Sequence, residues 1–231
     1  MAALVLVTAP TVEPVSLDEA KALCRIDTTA DDVLVSGLIT AARKYGEVCT
    51  RRQFCTATWK MSLDSFYTGP VSGAYDDLRL SQPQAIGATP FGSPGYRWLT
   101  SIRIPVPPLQ SVTTLTYVDT NGVTQTLDPT LYIVDANSET GRITPAFSTP
   151  WPYTRSVINA VNITFVAGYA YSPSTPGTPV PPWWWEYVRT AILMTVDAWY
   201  NNRGSTAPSA TAPIPAAAAA LFDAAAYGSY C

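Results

Sequence analysis

The sequence predicts an α+β protein, and three observations carry that reading. Helix start signals and a 3.6-residue apolar period occupy the first 56 residues. From Trp59 to Gly168 the period changes, and Thr, Val, Tyr, Ile and Pro dominate, as in short strands and turns. A helical pattern then returns at "PPWWWEYVRTAILMTVDAWYNNR". The expected organisation is an N-terminal helical part at 1–56 and a β domain at 57–171. A Pro-rich linker at 172–181, a long helix at 182–204 and a C-terminal arm at 205–231 follow.

The first helix is announced by "VSLDEAKALCRI". Ser16 followed by Glu19 is a capping box that satisfies orphan amides at a helix start, and Asp18 and Glu19 suit the positive end of the dipole. Arg25 marks its expected end. A second helix follows in "TTADDVLVSGLITAARKYGEVCTRR", with Thr28 or Thr29 as cap and Asp31 and Asp32 in the first turn. Leu34, Leu38, Ala41, Tyr45 and Val48 form one continuous helical face, and Arg51 and Arg52 are expected to close the last turn. Gly37 and Gly46 each weaken a helix by up to ~1 kcal/mol, a deficit that tertiary packing must offset.

In the β region "TATWKMSLDSF", "LYIVD", "GRITPA" and "AVNITFVAGY" read as strands. "SVTTLTYVDTNGVTQTL" reads as a hairpin, with Asn121-Gly122 supplying the positive φ angles of a tight turn. Residues 68–99 are rich in Gly, Pro and Ser and form an expected long loop. The prolines of "SPSTPGTPVPP" make a stiff, extended linker.

Successive helical side chains point about 100° apart, so three adjacent tryptophans sweep about 200°. That exceeds the apolar stripe of a surface helix. Trp184, Trp185, Val188, Ile192, Thr195 and Trp199 share the stripe assigned to the core. Trp183, Tyr187 and Met194 form a second patch on the polar side. Three readings of it stand: cover by the β domain or the linker prolines, a subunit contact, or a stacking platform for nucleic acid. Beyond Gly204 the chain to Pro215 is a flexible arm. Ala216 to Ala226 favours helix but is too short to be stable alone and needs a surface. Leu221, Phe222, Tyr227 and Tyr230 are its candidate contacts, joining Trp183, Tyr187 and Met194 as candidate interface residues.

Composition excludes several classes. The 231 residues include no histidine, which removes the usual proton shuttle near neutral pH and the commonest metal ligand. The formal net charge of −3 provides no basic footprint for nucleic acid. Charged residues are only 13% of the chain, and such a surface favours assembly. Cys24, Cys49, Cys55 and Cys231 form no C-x-x-C and no disulfide scaffold, as expected of a reducing compartment. "MAALVLVTAP" lacks the basic region of a secretory signal, and a soluble protein made in the cytoplasm is expected. Phosphate-loop, dinucleotide-binding and nucleophile-elbow motifs are missing. The pairs Asp31-Asp32 and Asp76-Asp77 read as a helix start and a loop feature rather than a catalytic or calcium site. No catalytic residue, cofactor site or metal site is expected.

The order of the parts resembles the head–tail connector (adaptor) family of long-tailed bacteriophages. The resemblance rests on Leu17-Asp18-Glu19-Ala20-Lys21, the Asp31-Asp32 start, Arg51-Arg52-Gln53, the hairpin from Tyr117-Val118-Asp119 to Gly122, and Tyr200 to Arg203. It covers about two thirds of the chain, and its specificity lies in the order of short motifs. It implies a small helical bundle with an inserted antiparallel β domain, without enzymatic activity or cofactor. It further implies a ring, usually dodecameric, in the virion neck under the portal protein, receiving a tail or head-completion protein. Double-stranded DNA would pass through the lumen without specific binding. The long 68–99 loop and the alanine-rich C-terminus depart from the family pattern. The alternatives are a monomeric β-sandwich binding module for carbohydrate or a surface ligand, and a two-carboxylate hydrolase. The first predicts tryptophans on the β region, where Trp59, Trp98 and Trp151 lie; Trp183, Trp184, Trp185 and Trp199 lie on the last long helix.

Overall fold

The computed structural model describes residues 3–66, 101–170, 182–202 and 214–226. The expected 68–99 loop and 172–181 linker lie outside the described residues, as do Asp76, Asp77, Trp98, Arg203, Tyr227, Tyr230 and Cys231. The architecture is α+β. The chain divides into a β unit, residues 1–9 with 57–167, and a helical unit, residues 10–56 with 168–231.

The β unit contains β1 (Ala3–Thr8), β2 (Ala57–Leu63), β3 (Ile102–Arg103), β4 (Leu109–Val118), β5 (Thr124–Thr126), β6 (Tyr132–Asp135), β7 (Arg142–Pro145) and β8 (Val161–Ala167). A five-stranded antiparallel sheet runs β1-β2-β8-β4-β5, and a three-stranded one runs β3-β7-β6. Strand β8 alternates strictly between buried and half-buried residues, as a central strand with one core face should. Its buried Ile163 and Phe165 join Met61 and Leu115 of the large sheet and Ile102 and Ile143 of the small one in a single core.

The expected strands fall where the sequence places them. The β4–β5 hairpin differs in detail: Gly122 takes the positive φ, 86°, but Asn121 does not. The Asp119 carboxylate closes the loop instead, accepting from the Asn121 and Val123 amides at 2.9 Å each. A larger difference is β1. The first nine residues were expected with the helical part, yet they pair with β2 and belong to the β unit. Leu4-Val5-Leu6-Val7 has no apolar–polar alternation, so it carries no period-2 signal.

The helical unit contains α1 (Leu17–Cys24), α2 (Asp32–Thr50), α3 (Trp185–Asn201) and α4 (Ala216–Ala225). The capping box forms: the Glu19 amide donates to Ser16 Oγ at 3.2 Å, and the Ser16 amide to Glu19 Oε2 at 2.8 Å. Helix α2 departs from expectation at both ends. Its N-cap is Asp31 rather than a threonine, and that carboxylate accepts from the Tyr200 hydroxyl at 2.6 Å. Arg51 is the left-handed C-cap, so Arg51 and Arg52 follow the last turn instead of closing it.

The buried stripe of α2 is also displaced. Val35, Ile39, Ala42, Gly46 and Thr50 face the core, while the expected stripe leaves Leu34, Ala41 and Val48 exposed and Leu38 and Tyr45 half-buried. Small residues decide between the two faces. A Cβ on Gly46 would lie 2.6 Å from Phe222 Cε1 and 2.9 Å from Phe54 Cε2, so these rings need the bare backbone there. Gly37, on the outward face, would meet nothing within 4 Å. Around this face, buried Arg43 donates to Glu13 at 2.6 Å and to Glu47 at 2.8 Å. Glu47 also accepts from the Gln53 side chain and the Phe54 amide, so the chain leaving α2 is held by a saturated polar network.

Helix α4 finds its surface within its own unit, with Ala218, Phe222 and Ala225 buried in the helical core. Two opposite effects follow for the glycines of α2. Gly46→Ala is expected to lower stability by about 1–3 kcal/mol through overpacking. Gly37→Ala should raise it by up to ~1 kcal/mol through helix propensity. Urea unfolding midpoints of the two variants against wild type check both signs.

Candidate functional site: an outward aromatic surface

The start of α3 is built on a tight turn. Pro182 offers its carbonyl to the Trp185 amide at 2.9 Å, and Trp184 offers its own to the Tyr187 amide at 3.1 Å. The α-helix therefore begins at Trp185, three residues after the expected Pro182. The angular assignment survives this shift. Trp184, Trp185, Val188, Ile192 and Thr195 are buried, and Trp199 packs half-buried against the same core.

An aromatic cluster fixes the rotation of α3. Trp184 meets Tyr169 edge-on at 5.2 Å, and Trp185 meets Phe54 edge-on at 6.4 Å. The Arg52 guanidinium lies over the Trp184 ring at 4.9 Å while its Nε donates to the Ala225 carbonyl at 3.0 Å. With the second and third tryptophans inward, the first must point away. Trp183 is 76% exposed and stands perpendicular to Tyr187, itself 41% exposed, with centroids 6.0 Å apart.

Charged groups pin the neighbouring turn. Arg189 donates to a Glu19 carboxylate oxygen, to the Pro14 carbonyl at 3.1 Å and to Glu186 at 3.3 Å. Burial alone would raise the Glu19 carboxyl. The Ser16 amide, Arg189 and the Ser16 hydroxyl together outweigh it and hold Glu19 below its ordinary value. Burial would likewise lower the Arg189 guanidinium, but Glu19 and Glu186 raise it above its usual range. The aromatic pair thus sits on a helix start fixed by both apolar and ionic contacts.

The expected interface residues separate. Trp183 and Tyr187 form the exposed pair. Met194 and Leu221 pack half-buried against the helical core. Phe222 is corrected outright: it is 1% exposed, tilted against Tyr45 at 6.2 Å, and is a core residue rather than a contact for a neighbour. Two outward surfaces escaped sequence reasoning. One is the outward side of α2, where Val33 and also Val48, a member of the expected core stripe, are exposed. The other is β1, all six of whose residues are exposed. Gly46 marks the inward face of α2, but only the rings of Phe54 and Phe222 packed against it show why.

Among the described residues no cluster of three metal-ligating side chains forms. Asp32 pairs with Lys21 at 2.6 Å, and Asp31 serves Tyr200, so this carboxylate pair is tied to structure. The Cys55 thiol is pushed up to about 12, chiefly by burial, and behaves as a small apolar group. Trp151 is buried and stacked on Phe66 at 4.8 Å, and Trp59 is half-buried against the β core, so neither is an open platform for a sugar.

Residues 14–80 match the family model described as phage gp6-like head–tail connector protein. No protein with a curated description matches. Among solved structures, the neck of an empty gene transfer agent (GTA) particle computed with C6 symmetry is similar with a TM-score of 0.64 and 18% identity, covering 99% of this chain and 97% of that one. The virion of the native GTA particle gives 0.64 and 19% over the same shares. The neck of the native particle computed with C12 symmetry gives 0.58 and 18%, again over 99% and 97%. The resemblance read from the sequence is borne out: the chain matches the connector family over residues 14–80 and shares the fold of virion neck proteins over nearly its whole length.

Glu19 gives the site a pH signature. Its folded-state pKa is lowered, so its contribution is fully present above the unfolded carboxylate value and is lost as pH falls through the lower folded value. Glu19→Gln should therefore flatten the loss of stability in acid relative to wild type. Denaturation midpoints taken from neutral pH down to about pH 3 are the check; parallel curves would contradict it.

Proposed function

We propose that this chain is a structural virion protein without enzymatic activity: a head–tail connector subunit that forms a ring between the portal protein and the tail or head-completion proteins. The ring, a dodecamer on this reading, extends the DNA channel. Its subunits are made in the host cytoplasm and end in the virion neck. The observation that carries this reading is the likeness to neck structures over 99% of the chain, since those assemblies have C6 and C12 symmetry.

The surface suits that role. Trp183 and Tyr187 are the kind of exposed aromatic pair that anchors protein interfaces, and a fixed helix start presents them with little entropy left to lose. A chain of net charge −3 also suits a channel through which DNA slides, because lysine and arginine contacts to phosphate would hold it. The lumen is accordingly net negative or neutral.

Light scattering of the full chain, alone and mixed with the portal protein of the same virion, tests the reading. A ring that forms alone or on portal is expected, and a chain that stays monomeric with portal would refute it. Trp183→Ala should leave the melting temperature of the monomer unchanged and weaken assembly by roughly tenfold or more. Loss of monomer stability with assembly unaffected would place Trp183 in the core instead.

A further inference from the structure

We infer that the outer edge of β1 is a strand-pairing surface whose occupant is a second copy of this chain; the inference rests on the ring reading above. Strand β1 ends the five-stranded sheet. Its inner edge pairs with β2, with Leu4 opposite Met61 and Leu6 opposite Trp59. Its outer edge pairs with no strand among the described residues. Half of the backbone amides and carbonyls of an edge strand point outward, so the edge is a template for another extended chain.

The side chains show that water is a poor occupant. Leu4 and Leu6 share the core face of β2, yet they are 39% and 40% exposed and the β core does not include them. Val5 and Val7, on the opposite face, are each 55% exposed. The sheet therefore overhangs its own core by one apolar strand, wet on both faces. Proteins blunt edges with charge, proline or a bulge. From Ala3 to Thr8 there is no charged residue and no proline, and the register shift falls only at the Leu6–Thr8 end.

The geometry specifies what fits: an extended backbone with apolar side chains on both faces. A cyclic ring needs two different surfaces on each copy, one for each neighbour. The far side of the same sheet supplies an open stretch. There β5 covers only Thr116–Val118 of β4, and Ser111–Thr114 pair with no second strand among the described residues. Adding β1 of one copy to a sheet edge of the next lets the ring close head to tail without any change of fold. A self-pairing antiparallel β1 would give a two-fold dimer and leave the ring unclosed.

The test uses the full chain with portal. Val5→Lys/Val7→Lys places charge on side chains already more than half exposed, so the monomer should keep its melting temperature while ring assembly weakens by roughly tenfold or more. In parallel, hydrogen exchange of the wild type should show the outward-facing amides of β1, those not donated to β2, fast in the monomer and protected in the ring. Normal assembly of the double variant, with these amides still fast in the ring, would overturn the inference and leave the ring reading standing. Protection of those outward-facing amides already in the wild-type monomer would mean that the chain covers its own edge, which also overturns it. A wild-type chain that forms no ring with portal removes the second copy, and both readings fall.

Discussion

The contact on which the helical unit depends is the aromatic cluster of Phe54, Tyr169, Trp184 and Trp185. Phe54 is the last bulky residue before the chain departs into the β unit, and Tyr169 is the first after it returns. The Tyr169 amide donates to the Phe54 carbonyl at 3.2 Å, and Cys55 and Tyr169 form a short parallel bridge. Gly168 makes this closure possible. Its φ is +106°, and a Cβ there would lie 2.3 Å from the Cys55 carbonyl oxygen. More than a hundred residues of insertion thus begin and end at one point in the helical unit. The two inward tryptophans lie on that point, which sets the rotation of α3 and sends Trp183 outward.

Close packing around α2 carries the same logic to the C-terminal segment. Ten residues of alanine-rich helix cannot stand alone. Phe222 enters the notch left by Gly46, and Arg52 takes the Ala225 carbonyl, one of the orphan acceptors at the end of α4. Buried Arg43 would be costly unpaired; Glu13 and Glu47 keep it charged, and burial in turn pushes the Glu47 carboxyl up. Because Glu13 lies before α1 and Glu47 near the end of α2, this network ties the unit's first segment to its core.

Much of this was legible in the sequence, and the limits have physical causes. Capping at Ser16 and Glu19, the strand runs and the angular split of the three tryptophans follow from local rules, so they could be read directly. The inward face of α2 could not, because its two stripes are similarly apolar. What separates them is the bare backbone of Gly46 against rings that arrive from residues 54 and 222. The docking of α4 and the placement of β1 are likewise long-range choices. Phe222 reads as an exposed arm residue until α2 offers its notch. Leu4-Val5-Leu6-Val7 reads as nothing periodic because both of its faces are apolar.

The same absence of period that hid β1 from a local reading is a physical statement about it. A strand meant to lie at a solvated edge alternates or carries charge; a strand apolar on both faces is suited to the interior of a larger sheet. Trp183 makes the parallel statement for a helix, since three adjacent indoles cannot all turn toward one core. In both places the covalent sequence contains more apolar surface than the geometry of its own element can bury. Burial that a single fold cannot supply is available only from a neighbour. In the ring we propose, each modest joint would depend on the others, since a single departing subunit would break two contacts at once.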